Sequence, residues 1–181
     1  MSNQYRFLTH WRLKAGIDEV SEILDDPLGL ARWWPSVYLE VRELEPGDPV
    51  THVGRYIELY TKGWLPYTLR WRFRVTESRA PLGFSLVADG DFIGTGVWTL
   101  KQDGDYADVA YDWRIAADKP LLKYGTPVFR PIFAANHRWA MARGLESLEL
   151  ELRRRRARSE EERAAVPAPP GATFTRGRAQ T

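Results

Sequence analysis

His137 is the residue whose type and position offer the clearest chemistry in this 181-residue chain. On a helical wheel of about 100° per residue it falls within an apolar stripe, between Phe133 and Met141. An imidazole titrates near neutral pH, so His137 is a candidate general acid or base, or a hydrogen-bond partner for a ligand oxygen. The same position also suits a core histidine that bonds a backbone carbonyl or a tyrosine hydroxyl. The sequence leaves these roles open.

Other polar residues compete for a place beside this histidine. Asn136 lies at the edge of the same stripe, where it can reach either a ligand or the sheet. In the strand-like run 53–62, two alternating sets of residues compete for the inner face, one with Ile57 and one with Glu58 and Tyr60. We take Glu58 and Tyr60 as candidate ligand contacts. An inward Glu58 would be unusual, because an unpaired buried carboxylate is costly and its pKa rises.

Aromatic residues are abundant, with 8 Trp, 8 Tyr and 7 Phe. Their large apolar surfaces and polar tips suit a ligand with a few oxygen atoms. The remaining candidate ligand contacts are Tyr67, Trp71, Trp98, Tyr111, Trp113, Phe133, Met141 and Trp64. A core that the rings fill completely is the alternative. Trp64 follows Gly63 in a turn, and Trp33 and Trp34 lie at a helix end. Large aromatic residues in such places are candidates for a lid over a cavity or for plugs that close the core.

Several chemistries find no support in the sequence. The chain contains no cysteine, which excludes disulfides, thiolate zinc sites and cysteine nucleophiles. The three histidines, His10, His52 and His137, show no metal-ligand spacing with acidic residues, so we expect no metal. The glycine-rich run 90–96 does not lead from a strand into a helix, so it is not a phosphate loop. We therefore expect no cofactor.

The hydrophobic periodicity predicts the elements that must position these residues. Residues 4–14 alternate as a half-buried strand. A short helix capped by Asp18 follows, and then a helical turn from Pro27 to Trp33 or Trp34. Further strand-like runs lie at 37–45, 53–62, 67–78, 82–88, 92–102 and 106–116. The period is helical from about residue 119 to residue 156, although Pro120, Pro127 and Pro131 delay the regular stretch until about residues 129–131. On the helical wheel the apolar stripe contains Phe129, Phe133, Ala140, Gly144, Leu145, Leu148 and Leu152. We predict an α+β fold in which a curved antiparallel sheet of about seven strands surrounds a long C-terminal helix, with two short helices after the first strand.

One domain is expected over residues 1–152, followed by a basic tail over 153–181. The tail carries eight Arg and three Glu, whereas the whole chain has a net charge of +2. Its prolines and Gly171 predict disorder beyond a frayed helix end, and its arginines favour at most weak contact with an anionic surface and no specific nucleic acid. No apolar run suits a signal peptide or a membrane span, so we expect a cytoplasmic location.

The order of several short motifs resembles the helix-grip fold of the START and Bet v 1-like (SRPBCC) superfamily, particularly its polyketide cyclase/dehydrase-like members. The motifs are LARWWP at 30–35, KGWLPY at 62–67, DFIG at 91–94, GVW at 96–98 and ANHRWAM at 135–141. The resemblance covers roughly residues 4–152. It implies a central cavity for a hydrophobic small molecule such as a lipid, a polyketide or an aromatic compound.

Three functions follow from the sequence and this resemblance. The first is binding of a hydrophobic, partly oxygenated ligand between the sheet and the C-terminal helix. The second is a cyclase or dehydrase reaction in which His137 acts as general acid or base. The third is a co-chaperone-like protein-interaction module, in which the arginines at 70, 72 and 74 on the outer face contact a partner.

Overall fold

The computed structural model describes residues 4–117 and 126–174, and within that part seven strands form one antiparallel sheet. The strands are β1 (Gln4–Leu13), β2 (Tyr38–Glu45), β3 (Tyr56–Lys62), β4 (Thr68–Ser78), β5 (Gly83–Gly90), β6 (Phe92–Asp103) and β7 (Tyr106–Ala117). Their order is β1-β7-β6-β5-β4-β3-β2, so β2 to β7 form a meander and β1 pairs with its last strand. This is the predicted α+β arrangement.

Two short helices interrupt the strands where the sequence predicted them. Helix α1 covers Ile17–Leu24, and a 3₁₀ turn at Pro27–Gly29 leads into helix α2 (Leu30–Trp33). The predicted cap at Asp18 was wrong, because Gly16 is the N-cap and Asp18 lies in the first turn. The Glu19 carboxylate accepts a hydrogen bond from the Gly16 backbone N–H at 3.0 Å. The helix therefore begins two residues earlier than its most evident capping side chain suggests.

The sheet has one apolar face and one charged face, as the alternation along β4 and β7 predicted. In β4, Leu69, Trp71, Phe73 and Val75 are buried. The arginines between them lie on the outer face, where Arg72 pairs with Asp89 at 2.6 Å and Arg74 with Glu45 at 2.7 Å. Exposed pairs of this kind each contribute at most about 1 kcal/mol.

The long C-terminal helix, α3, covers Thr126–Arg156 and begins earlier than predicted. Pro127 did not delay the helix, because a backbone N–H in the first turn has no partner within the helix and its absence costs little there. Leu148 and Leu152 are fully or almost fully buried, in line with the predicted apolar stripe. Phe129, which the sequence placed in the same stripe, lies outside the described side chains.

The end of α3 and the tail are held by contacts that the sequence did not reveal. Glu151 is only 2% exposed and accepts a bidentate pair of hydrogen bonds from Arg32 of α2, at 2.7 and 2.9 Å. Arg155 contacts the same carboxylate at 3.0 Å, and Arg156 pairs with Glu19 at 2.7 Å. Where the sequence predicted disorder, a further helix, α4, covers Glu160–Ala165. Arg155 and Arg156 at the helix end thus have acidic partners in the same chain.

Candidate functional site

A cavity of about 130 Å³ lies between the apolar face of the sheet and the first half of α3. Most of its lining side chains are aromatic or aliphatic, and a few polar groups interrupt them. Eight of the candidate ligand contacts predicted from the sequence line it: Tyr67, Trp71, Tyr111, Trp113, Phe133, Asn136, His137 and Met141. An engineered cavity of about 150 Å³ can hold a benzene molecule. The space therefore suits a ligand portion of about one aromatic ring.

The His137 side chain extends from α3 to the cavity wall and contacts two residues of β1. Its imidazole stacks on the Phe7 ring, with centroids 4.4 Å apart and an interplanar angle of 20°. Its Nε2 lies 3.3 Å from Thr9 Oγ1, at hydrogen-bonding distance. Burial, assisted by the positive charge of Arg138, lowers the pKa of His137 to about 4. The ring is therefore neutral at pH 7, so it can exchange hydrogen bonds with a neutral oxygen but is a weak base.

Asn136, the neighbour of His137, fixes the loop at the cavity mouth. Its Oδ1 accepts hydrogen bonds from the backbone N–H groups of Trp64 at 2.9 Å and Leu65 at 3.4 Å. The loop can approach so closely because residue 63 is glycine, and a Cβ there would overlap the Asn136 amide. Asn136 thus lines the cavity and also bonds the backbone that connects β3 to β4.

The floor of the cavity is a packed set of rings on the sheet. Trp71 and Trp113 have centroids 5.4 Å apart, and Tyr111 stacks against Trp113 at 5.7 Å. The Trp71 indole donates its Nε1–H to Thr61 Oγ1 at 3.0 Å, so its polar tip is satisfied within the protein. Burial is the main cause that raises the pKa of Tyr67 to about 12, and the nearby Tyr5 adds a smaller increase. This phenol is therefore neutral at pH 7. The polar tips on this wall are uncharged at neutral pH.

A second, smaller chamber of about 60 Å³ lies between the sheet and the region where α1 ends and the 3₁₀ turn begins. Trp98, which the sequence placed among the ligand contacts, lines this chamber instead of the first one. Its ring stacks on Tyr111, with centroids 4.1 Å apart. Trp34, predicted as a lid or a plug, is 2% exposed and lines both chambers. It acts as an internal partition and not as an exposed lid.

Three candidate contacts lie away from both chambers. Glu58 and Tyr60 are on the outer face, because Ile57 and Leu59 take the inner one and are at most 1% exposed. Tyr60 lies beneath the Arg70 guanidinium, 4.4 Å from its ring centroid. These two predictions of cavity contacts were wrong. Trp64 is 36% exposed in the loop after β3, where its backbone N–H donates a hydrogen bond to Asn136.

Several lining residues were missed. Tyr5 and Phe7 stand on the inner face of β1, so the alternation there was a signal that could have placed them in the cavity. Tyr38 and Lys62 lie at strand ends, where alternation gives no such signal.

Lys62 also connects the cavity rim to the C-terminal tail. This lysine is 7% exposed, and its ammonium donates a hydrogen bond to the Thr173 carbonyl and lies 5.5 Å from the Phe174 ring centroid. Thr173 Oγ1 in turn donates to the carbonyls of Gly63 and Trp64, each at 3.3 Å. The β3–β4 loop therefore contacts both the tail and Asn136.

Two other kinds of site are absent from the described residues. In residues 4–117 and 126–174 no three His, Asp or Glu side chains are grouped so that they could hold a metal ion. None of the helices in the same ranges has the length and apolarity that a membrane span requires.

The fold occurs in solved structures of several proteins. The chain is similar to the Zhui aromatase/cyclase from Streptomyces sp. R1128, with a TM-score of 0.66 and 18% identity over 87% of this chain and 98% of that one. It is similar to a protein from Thermus thermophilus, TTHA0849, with a TM-score of 0.60 and 16% identity over 91% and 100% of the two chains. Ara h 8.0201 aligns with a TM-score of 0.57 and 8% identity over 82% and 97%. No protein-family model and no curated protein sequence matches the chain.

These likenesses show the class of fold. The curved seven-stranded sheet, the short helices after β1 and the long C-terminal helix make it a helix-grip fold of the Bet v 1-like type, with an aromatase/cyclase among its structural neighbours. This confirms the fold that the order of sequence motifs predicted. At such low identity the likeness extends to the architecture, and function must be argued from the site.

Proposed function

We propose that the protein binds a small hydrophobic, partly oxygenated molecule in the cavity between the sheet and α3. The observation that carries this proposal is the cavity of about 130 Å³, whose largely aromatic lining is interrupted by a few polar groups, among them His137, Asn136 and Lys62. An apolar pocket with a few convergent polar groups is the usual form of a small-molecule site. Burial of apolar surface would supply most of the affinity, and the polar groups would orient the ligand.

A pair of alanines on α3 provides a test with a matched control. Ala140 lines the cavity, whereas Ala142 is exposed on the opposite side of the same helix. We expect Ala140→Leu to fill the cavity and weaken binding of ethylbenzene and acetophenone at least tenfold, measured by tryptophan fluorescence or calorimetry. Ala142→Leu should leave both affinities unchanged. If neither compound binds the wild-type protein, or if both variants bind equally well, the proposal is wrong.

A second candidate is a cyclase-type enzyme in which His137 transfers protons. It is favoured by the position of His137 in the cavity and by the likeness to proteins described as aromatase/cyclases. The pKa of about 4 counts against it, because so weak a base is poorly matched to proton abstraction at neutral pH. Replacement of His137 by Gln would abolish turnover of a polyketide-type substrate in the enzyme and only weaken binding in a carrier.

The interaction module is the least supported of the three functions. The outer-face arginines already have partners within the chain: Arg72 pairs with Asp89, Arg74 pairs with Glu45, and Arg70 lies on the Tyr60 ring. A protein partner would have to compete with these contacts for each guanidinium.

A further inference from the structure

The described end of the tail lies on the rim of the cavity. Residues 166–174, which we call the strap, follow α4 without forming a helix or a strand. The strap is anchored at two places. Arg154, near the end of α3, donates a hydrogen bond to the Pro167 carbonyl at 3.0 Å, and Thr173 bonds the β3–β4 loop. Because its prolines stiffen such a segment, the strap connects the end of α3 to the mouth of the cavity.

Lys62 shows why the strap lies where it does. This residue lines the cavity and is 7% exposed. A lysine is seldom buried without a partner, and here the partner is the Thr173 carbonyl, with the Phe174 ring centroid 5.5 Å from the ammonium. No carboxylate in the described part of the chain pairs with this ammonium. The strap therefore satisfies a charged group of the rim that would otherwise need water.

The strap covers the rim without entering the cavity. It contacts Lys62 and Gly63, which line the cavity, whereas none of the residues 166–174 does. The contacts that hold its end are a hydrogen bond to a neutral carbonyl, one hydroxyl hydrogen and one ring, and each of these is weak in water. Segments held by so few contacts open without unfolding of the domain.

We propose that the strap is a gate, and that a ligand passes the mouth only when Thr173 has left Lys62 and the β3–β4 loop. This proposal rests on the proposed binding function and adds its regulation. Because the strap does not line the cavity, it docks equally well on the empty and on the occupied protein. Its release should therefore speed entry and exit by the same factor and leave the affinity unchanged.

Two substitutions in the full-length chain weaken the strap without changing the cavity lining. Thr173→Val removes the hydroxyl, and Phe174→Ala removes the ring. In stopped-flow tryptophan fluorescence with ethylbenzene, we expect Thr173→Val to raise both the association and the dissociation rate constant about threefold to tenfold, the usual effect of one hydrogen bond. For Phe174→Ala we expect about twofold to fivefold. Thr95→Val, at an exposed position of β6, is the control and should change neither rate constant.

A fluorescent label reports directly whether the strap moves. The chain contains no cysteine, and a Cβ at the exposed Gly171 would meet no atom within 4 Å, so Gly171→Cys can carry a single bimane. Tryptophan quenches bimane at short range, and Trp64 bonds Thr173 two residues away from the label. The docked strap should therefore be quenched, and either Thr173→Val or Trp64→Phe in the labelled protein should make it brighter.

The outcomes separate the gate from the binding function. If Thr173→Val brightens the label but changes neither rate constant, the gate is wrong and the binding function stands. Faster dissociation alone, with weaker affinity, would make the strap a wall of the binding site and also contradicts the gate. A label whose brightness changes in neither variant shows that the strap is not closed on the loop. If neither ethylbenzene nor acetophenone binds the wild-type protein, the binding function is wrong and the gate with it.

Discussion

The side-chain oxygen of Asn136 accepts the backbone N–H of Trp64 at 2.9 Å, and this contact joins the C-terminal helix to the loop between β3 and β4. The same oxygen lies 3.4 Å from the N–H of Leu65. Asn136 also lines the cavity, so the loop and the cavity wall share one side chain. A shift of this helix should therefore also move the loop at the mouth of the cavity.

Removal of this amide should loosen the loop. In Asn136→Ala the N–H groups of Trp64 and Leu65 lose their acceptor, and we expect their hydrogen exchange to accelerate about fivefold or more, equivalent to about 1 kcal/mol of lost local stability. Arg138→Ala, two residues further along the helix and exposed, serves as the control. Equal exchange of these two amides in both variants would show that Asn136 does not hold the loop.

Much of the fold could be predicted because its signal is local. Alternation within a single strand determines which residues face inward, and this was sufficient for β1, β4 and β7. In β3 the alternation was ambiguous, since Ile57, Leu59, Tyr56 and Tyr60 are all large and apolar in part. The pairing with β4 resolves it, because Ile57 lies opposite Phe73 and Leu59 opposite Trp71 on the buried face. That information resides in another strand.

The site was harder to predict than the fold for a related reason. His137 and Asn136 were identified because they stand out from the apolar stripe of one helix. Lys62 and Glu151 became notable only through partners 111 and 119 residues away in the sequence, Thr173 and Arg32. No periodicity within one element reports such contacts, so they required the tertiary structure.

The buried imidazole of His137 predicts a specific dependence of stability on pH. Its pKa is lowered to about 4 in the folded protein, whereas an unfolded histidine titrates near the ordinary value of 6.5. Between these values the unfolded chain binds a proton that the folded protein does not, so stability falls as pH decreases from about 6.5 to about 4. The total loss from this residue is at most about 3 kcal/mol.

A variant that cannot titrate isolates this contribution. Urea unfolding of His137→Gln should show a smaller loss of stability than wild type over the same pH range, and an unchanged pH dependence above it. His10→Gln, at an exposed position of β1, should follow the wild-type curve. Parallel curves for wild type and His137→Gln would contradict the buried, neutral histidine.

The contact between Gly144 and Trp34 predicts an effect opposite to helix propensity. Glycine to alanine within a helix normally stabilises by about 1 kcal/mol. At residue 144 the added Cβ would overlap the Trp34 indole, so we expect Gly144→Ala to destabilise the protein by about 1–3 kcal/mol. The exposed Ala142→Gly gives the propensity effect alone for comparison. A gain in melting temperature for Gly144→Ala would show that the helix and this indole are not tightly packed.

The buried carboxylate of Glu151 should be a major source of stability. Burial raises the pKa of Glu151, but hydrogen bonds from Arg32 and Arg155 together outweigh this effect and leave the pKa below the ordinary value. Glu151→Gln would remove the charge that pairs with these arginines, and we expect a loss of about 2–4 kcal/mol in the free energy of unfolding at pH 7.

Glu149→Gln is the matched control for this change, since Glu149 is exposed on the same helix and should contribute less than about 0.5 kcal/mol.

The lowered pKa of Glu151 also fixes the sign of the pH effect on stability. The stabilisation by Glu151 is fully present above the pKa that this residue has in the unfolded chain. It is lost as the pH falls through the lower pKa that the residue has in the folded protein. The difference between wild type and Glu151→Gln should therefore shrink in acid, and a difference that stays constant down to about pH 3 would contradict an ionised carboxylate at this position.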